Sequence, residues 1–213
     1  MMSFTAREDD TGNLYDQRYD QEEYYWGLKP SSNCSRVLEI LPPSGGSRLL
    51  DVGCGEGRDA VFFACKGYSV TAFDSSPVGV EKALRLAERA NVSLEVFVAD
   101  IIEYRLDSCF DVVFSTGVLQ YIPPDLRPEI LGNYRAFTNP DGVNALSVFV
   151  SKPFISRAPD AEAKAFEWRS GELLSYYHDW RIEYTSEEIF DCMSSGVPHR
   201  HAISRVIARK VAG

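Results

Sequence analysis

The chain has 213 residues, 45% of them apolar and 25% charged, the composition of one globular domain large enough to bury a full core. Its formal charge of -9 argues against nucleic acid or an anionic membrane surface as the main partner, because both call for a basic face. The five cysteines, at positions 34, 54, 65, 109 and 192, form no Cys-x-x-Cys pair and are odd in number. Neither a metal site nor a disulfide framework is therefore expected, and a reducing cytoplasm fits best. Met1 to Asp10 is polar, without the apolar core of a signal peptide, and no apolar run reaches membrane-spanning length.

Residues 1–30 read as a leader followed by an aromatic segment, Tyr15 to Tyr19 and Glu23 to Gly27. Tyrosine and tryptophan with polar tips suit either a short pinned helix or a flap over a pocket. Residues 31–213 read as the main domain. Cys34, Val37, Leu38 and Leu41 recur at helical spacing, and Pro42-Pro43 ends that helix. Strand one runs from Arg48 to Val52 and empties into Gly53-Cys54-Gly55-Glu56-Gly57, with a helix after it and Gly67 as its C-cap. Ser69 to Phe73 is strand two. Ser76-Pro77 opens a helix whose predicted buried stripe is Val80, Ala83, Leu84 and Ala87. Strand three is Leu94 to Val98 and strand four Phe110 to Ser115. A helix is expected from Pro123-Pro124, then a turn at Asn139 to Gly142 and strand five at Asn144 to Phe149. After the irregular stretch Ser151 to Arg169 come a short helix at Glu172 to Tyr177, strand six at Trp180 to Tyr184, a loop from Ser186 to His201, and strand seven at Ala202 to Ala208.

Strands alternating with helices imply a Rossmann-like α/β three-layer sandwich with a seven-stranded, mostly parallel sheet. Strands six and seven lack a crossover helix between them, so the last strand should run antiparallel. Ligands in such sheets bind beyond the carboxyl ends of the strands. Asp51, Gly53, Cys54, Gly55 and Arg58 fall there after strand one, Asp74 and Ser75 after strand two, Asp100 and Ile101 after strand three, and Thr116, Gly117 and Val118 after strand four. Asp74 is placed to accept ribose hydroxyls, and Asp100 an adenine amino group. Gln120 and Tyr121 fall on the same edge. The glycines alternate as Gly53-x-Gly55-x-Gly57, unlike the dinucleotide fingerprint, and Asp51 at the mouth of the loop would repel a pyrophosphate. A cationic, phosphate-free nucleoside suits the loop better than NAD.

Leu50 to Arg58 resembles motif I of class I S-adenosylmethionine (SAM)-dependent methyltransferases. Thr71-Ala72-Phe73-Asp74, Val98-Ala99-Asp100-Ile101 and Phe110 to Ser115 resemble the ribose, adenine and strand-four motifs of that superfamily. Gly57-Arg58-Asp59, Gly67-Tyr68, Gly171-Glu172-Leu173, Tyr176-Tyr177-x-x-Trp180 and Ile207 to Lys210 are similar to the TehB-like tellurite-resistance methyltransferases. The resemblance implies SAM as cofactor, S-adenosylhomocysteine as its product, and a small-molecule acceptor that includes a tellurite- or selenite-like oxyanion among its candidates. An antiparallel strand seven starts at the same edge, which places His199, Arg200 and His201 beside the pocket on the acceptor side; catalytic roles fall on them, although they only loosely match that family's basic residues before the last strand. A thiol or metabolite acceptor and a non-catalytic SAM sensor are the alternatives. Neither nucleic acid nor membrane is expected as a partner, and the chain is expected to be a monomer or homodimer.

Overall fold

The computed structural model describes residues 11–157, 165–193 and 196–211, with side chains from Tyr15 onward. Its elements are α1 (Thr11–Tyr19), α2 (Ser32–Ile40), β1 (Arg48–Val52), α3 (Arg58–Lys66), β2 (Ser69–Asp74), α4 (Pro77–Arg89), β3 (Glu95–Val98) and β4 (Phe110–Thr116). A 3-10 turn at Leu119–Tyr121 is followed by α5 (Arg127–Ala136), β5 (Thr138–Val150), α6 (Glu172–Ser175), β6 (Arg181–Cys192) and β7 (His199–Arg209). No described helix is long and apolar enough to cross a membrane.

The sheet has seven strands in the order β3-β2-β1-β4-β5-β7-β6, and β7 runs antiparallel to both its neighbours, as the missing crossover helix predicts. Successive strand residues point to opposite faces, and both faces are buried. Leu49, Val112, Phe114, Val143 and Ala145 pack on the side of α2 and α3. Leu50, Val113, Leu146 and Val148 pack on the side of α5, α6 and Trp168. The Ser76 hydroxyl accepts the Gly79 N–H at 3.0 Å, and Pro77 opens α4, as expected of that pair. Gly67 ends α3 at φ +103, where a side chain would be strained.

Four expectations need correction. The loop read between Ser186 and His201 is largely strand, with β6 and β7 paired in register out to Cys192 and His199. β6 is an edge strand, and beyond Tyr184 it is mostly exposed on both faces, so that part carries no alternating pattern to read. Second, the turn at Asn139 to Gly142 lies inside β5 as an irregularity, with Asp141 at φ +62 and a register shift opposite Phe110 and Val112. Third, α5 starts at Arg127, one turn later than the Pro123-Pro124 signal. Fourth, Leu84 is 45% exposed and Lys82 takes an inward place on α4, because a buried carboxylate, Glu56, lies within reach.

Candidate active site

The strand order reverses between β1 and β4, and a cavity of about 510 Å3 opens there beyond the carboxyl ends of the strands. All twelve residues expected to hold the cofactor line it: Asp51, Gly53, Cys54, Gly55, Arg58, Asp74, Ser75, Asp100, Ile101, Thr116, Gly117 and Val118. The turn that begins the wall depends on its glycines. Gly53 has φ +70 and a Cβ there would meet the Val118 side chain at 2.7 Å. Gly57 has φ +84 and a Cβ would meet the Ala83 Cα at 2.8 Å, so this glycine lets α3 and α4 lie side by side.

Asp74 ties the turn to β2. One carboxylate oxygen accepts the Gly55 N–H at 2.7 Å, and the other accepts the Ser76 N–H at 2.9 Å. Burial pushes its carboxyl upward against these two bonds. Asp100 accepts the Ile102 N–H at 2.7 Å, which fixes the end of the β3 segment. Asp51 is 2% exposed, and its Oδ2 has no hydrogen-bond partner. Burial, and next the neighbouring charge of Asp59, hold the Asp51 carboxyl well above the usual carboxylate range. Burial and then Asp74 also push the Cys54 thiol up, so it is a small neutral filler between glycines and not a nucleophile. Gln120 donates to the Gly117 carbonyl at 2.6 Å, while its Oε1 is a second buried acceptor without a partner.

The aromatic N-terminal segment forms one side of the wall through Tyr15, Tyr19 and Trp26. It is stapled down by Lys82, whose ammonium lies 2.5 Å from Glu56 and donates to the carbonyls of Tyr19, Gln21 and Glu23 at 3.1, 2.9 and 2.6 Å. Ser76 also donates its hydroxyl to Asp16. The Trp26 indole donates to the Tyr19 hydroxyl at 3.2 Å, and the Tyr15 hydroxyl meets that of Tyr121 at 2.8 Å. Phe149 at the end of β5 and, from the connector after it, Ala165 and Phe166 also line the cavity. That connector is held by the Ser151 N–H to Trp168 carbonyl bond at 2.9 Å and by Arg127. The Arg127 guanidinium lies 4.0 Å from the Trp168 ring and bonds Glu172 at 2.5 Å.

Glu56, Asp59, Phe149 and Phe166 belong to the wall but are not among the expected site residues. Phe149 was accessible to the strand-end rule, whereas a lone lysine such as Lys82 gives no sequence signal. His199, Arg200 and His201 are placed differently. None lines the cavity. His201 packs behind Phe149, ring centroids 5.0 Å apart, with His199 beside it. Arg200 is exposed, pairs in register with Asp191, and by strand alternation leaves the other face. Lys152, just after β5, pairs with Glu187 and does not line the cavity.

This sheet order, with β7 reversed and a carboxylate-lined cavity at the β1/β4 switch point, defines the class I SAM-dependent methyltransferase fold. Within that class the chain matches the family described as "Tellurite resistance protein TehB" over residues 13–195, and it belongs to that family. It is 26% identical over 197 residues to the probable SAM-dependent methyltransferase TehB of Haemophilus influenzae, covering 90% of this chain and 68% of that protein. It is 32% identical over 148 residues to hemagglutinin 1 of Eikenella corrodens, covering 70% of this chain but only 48% of that protein. The chain thus spans about half the length of the one relative and two thirds of the other. The crystal structure of TehB from H. influenzae superimposes with a TM-score of 0.75 at 22% identity, over 93% of this chain and 66% of that one. Magnesium protoporphyrin IX methyltransferase from Synechocystis, solved with bound SAM, superimposes at 0.66 and 16% identity over 97% of this chain and 100% of that one, a likeness of fold.

Proposed function

We propose that this chain transfers a methyl group from SAM to a small-molecule acceptor. The observation that carries the reading is Asp51, a buried carboxylate with one oxygen lacking a donor, in a wall that holds Glu56, Asp59, Asp74 and Asp100 as well. Arg58 is the one cationic side chain among the described lining residues, and it is paired to Asp59 at 3.2 Å. Such a wall favours a cationic ligand and disfavours pyrophosphate or a nucleic-acid backbone. SAM, when bound, supplies an electrophilic methyl on a sulfonium next to an ammonium. Asp51 offers an acceptor to the ammonium, and Asp74 has lone pairs left for ribose hydroxyls. Tyr15, Tyr19 and Trp26 exclude water from the space above the turn.

Beyond the cofactor residues, Gln120, Tyr121, Phe149 and Phe166 line further space. A polar and aromatic acceptor side of this kind supports catalysis over a sensor, and suits a neutral or weakly acidic oxygen or thiol nucleophile. Two relatives named as O-methyltransferases, of malonyl-acyl carrier protein and of ubiquinone biosynthesis, are consistent with such an acceptor. The family match favours a second reading, a tellurite- or selenite-like oxyanion. That acceptor needs cationic donors: Arg58 in the wall and His199 and His201 behind Phe149 are the candidates, whereas Arg200 leaves the other face of the sheet.

Calorimetry with SAM and S-adenosylhomocysteine tests the cofactor, and no binding at millimolar concentration overturns the proposal. Release of S-adenosylhomocysteine is then measured with tellurite, selenite, small thiols and small phenols as acceptors. Turnover with the oxyanions alone selects the second reading.

A further inference from the structure

The tip of the β6–β7 hairpin carries a constellation that the cavity does not use. Register pairs Cys192 with His199 and Phe190 with His201, so these four side chains leave the same face of the sheet. The Cys192 Sγ and one ring nitrogen from each histidine lie within 4.8 Å of one another, the only such grouping of three potential metal ligands among the described residues. The His199 Nδ1 lies 2.8 Å from the Val197 carbonyl. A carbonyl only accepts, so Nδ1 carries the proton, and the lone pair of neutral His199 is on Nε2. That Nε2 faces the His201 Nε2 at 2.9 Å. The His201 ring is itself held between Phe149 and Phe190, at 5.0 and 5.6 Å between centroids. Orientation of a ligand imidazole by a carbonyl on its other nitrogen, with an apolar shell around it, is the arrangement metal-binding histidines use.

We propose that Cys192, His199 and His201 bind a divalent transition ion of the Zn2+ type at the hairpin tip, separate from the cofactor cavity. Tetrahedral zinc with nitrogen at about 2.0–2.1 Å and sulfur at about 2.3 Å needs ligand atoms roughly 3.3–3.6 Å apart. The three atoms are already gathered to within small side-chain rotations of that spacing. One thiolate and two imidazoles select a borderline or soft ion over Mg2+ or Ca2+, which require oxygen ligands. The absence of a Cys-x-x-Cys motif hid the set, because its spacing is Cys-x6-His-x-His and only the antiparallel register brings the ends together. Three protein ligands leave a fourth position for water or an anionic group. The site stands whether or not the cavity binds SAM.

The test is a titration of the full chain, stripped with chelator and kept reduced without added thiols, with Co2+ alone. One Co2+ per chain is expected, with a thiolate-to-cobalt charge-transfer band that added Zn2+ abolishes and Mg2+ leaves unchanged. Cys192→Ser should lose the band, whereas Cys65→Ser and Cys109→Ser should keep it. His199→Gln, which keeps every thiol, should weaken binding about tenfold or more and guards against misfolding of the cysteine variant. No charge-transfer band on the parent chain, or a band that survives in Cys192→Ser, overturns the proposal.

Discussion

Asp51 is costly to the protein when its cavity holds no cation. Its raised carboxyl means the folded chain binds a proton there more tightly than the unfolded chain does. Stability of the ligand-free protein therefore falls as pH rises from the ordinary carboxylate value toward the raised one. Affinity for a cationic ligand rises over the same window, because ionisation of Asp51 creates its partner. Calorimetry across that range should show SAM binding strengthening with pH, and Asp51→Asn should weaken binding about tenfold and flatten the dependence. Asp74→Ala removes a potential ribose acceptor and also the anchor of the Gly55 N–H. It should lower affinity for S-adenosylhomocysteine by about tenfold or more at any pH where the parent binds. Unchanged affinity would show that Asp74 only shapes the turn.

Two junctions set the stability of the site's elements. Gly57 combines a left-handed backbone with direct contact between α3 and α4. Gly57→Ala should therefore cost about 3 kcal/mol, read from denaturant unfolding. The second junction is the ammonium of Lys82, which joins α4 to Glu56 in the glycine turn and to three carbonyls of the N-terminal segment. Lys82→Met strands Glu56 as a buried charge and should cost about 3–5 kcal/mol. Lys82→Met combined with Glu56→Leu should recover part of that loss, but not the docking of residues 19–23, whose carbonyls lose their donor. Additive losses in the double variant would refute the pairing as the source of the penalty.

Across the whole molecule, the cavity is a seam between distant parts of the chain: the N-terminal aromatics, the ends of β1 to β5, and the connector around Phe166. The Tyr15–Tyr121 hydroxyl contact bridges the first and second of these. A ligand in the cavity should tie the three together. Amide exchange should therefore slow on saturation with S-adenosylhomocysteine at Tyr15 to Gly27 and at Phe166 to Trp168, and stay unchanged along β6, which has no wall residue. Equal protection of β6 would place the ligand elsewhere. Within the family, several residues that mark the resemblance act as structural staples. Glu172 holds Arg127, Tyr177 donates to Asn144 at 2.9 Å, and Lys210 donates to the carbonyls of Arg135, Ala136 and Thr138.

The sequence by itself determined the strand–turn–helix at Asp51 to Arg58, the alternation of strands and helices, and the wall residues Asp74, Asp100 and Thr116 to Val118. These are local signals, since glycine conformation, apolar period and strand-end position are all written within a few residues. Tertiary structure alone decided the rest. The part of β6 beyond Tyr184 gave no pattern because an edge strand buries neither face fully, and its extent came from pairing with β7. Lys82 turned inward because Glu56, distant in sequence, offered a charge. His199 and His201 moved from the expected acceptor side to a set with Cys192 behind Phe149, because antiparallel register, not sequence spacing, fixes which side chains share a face.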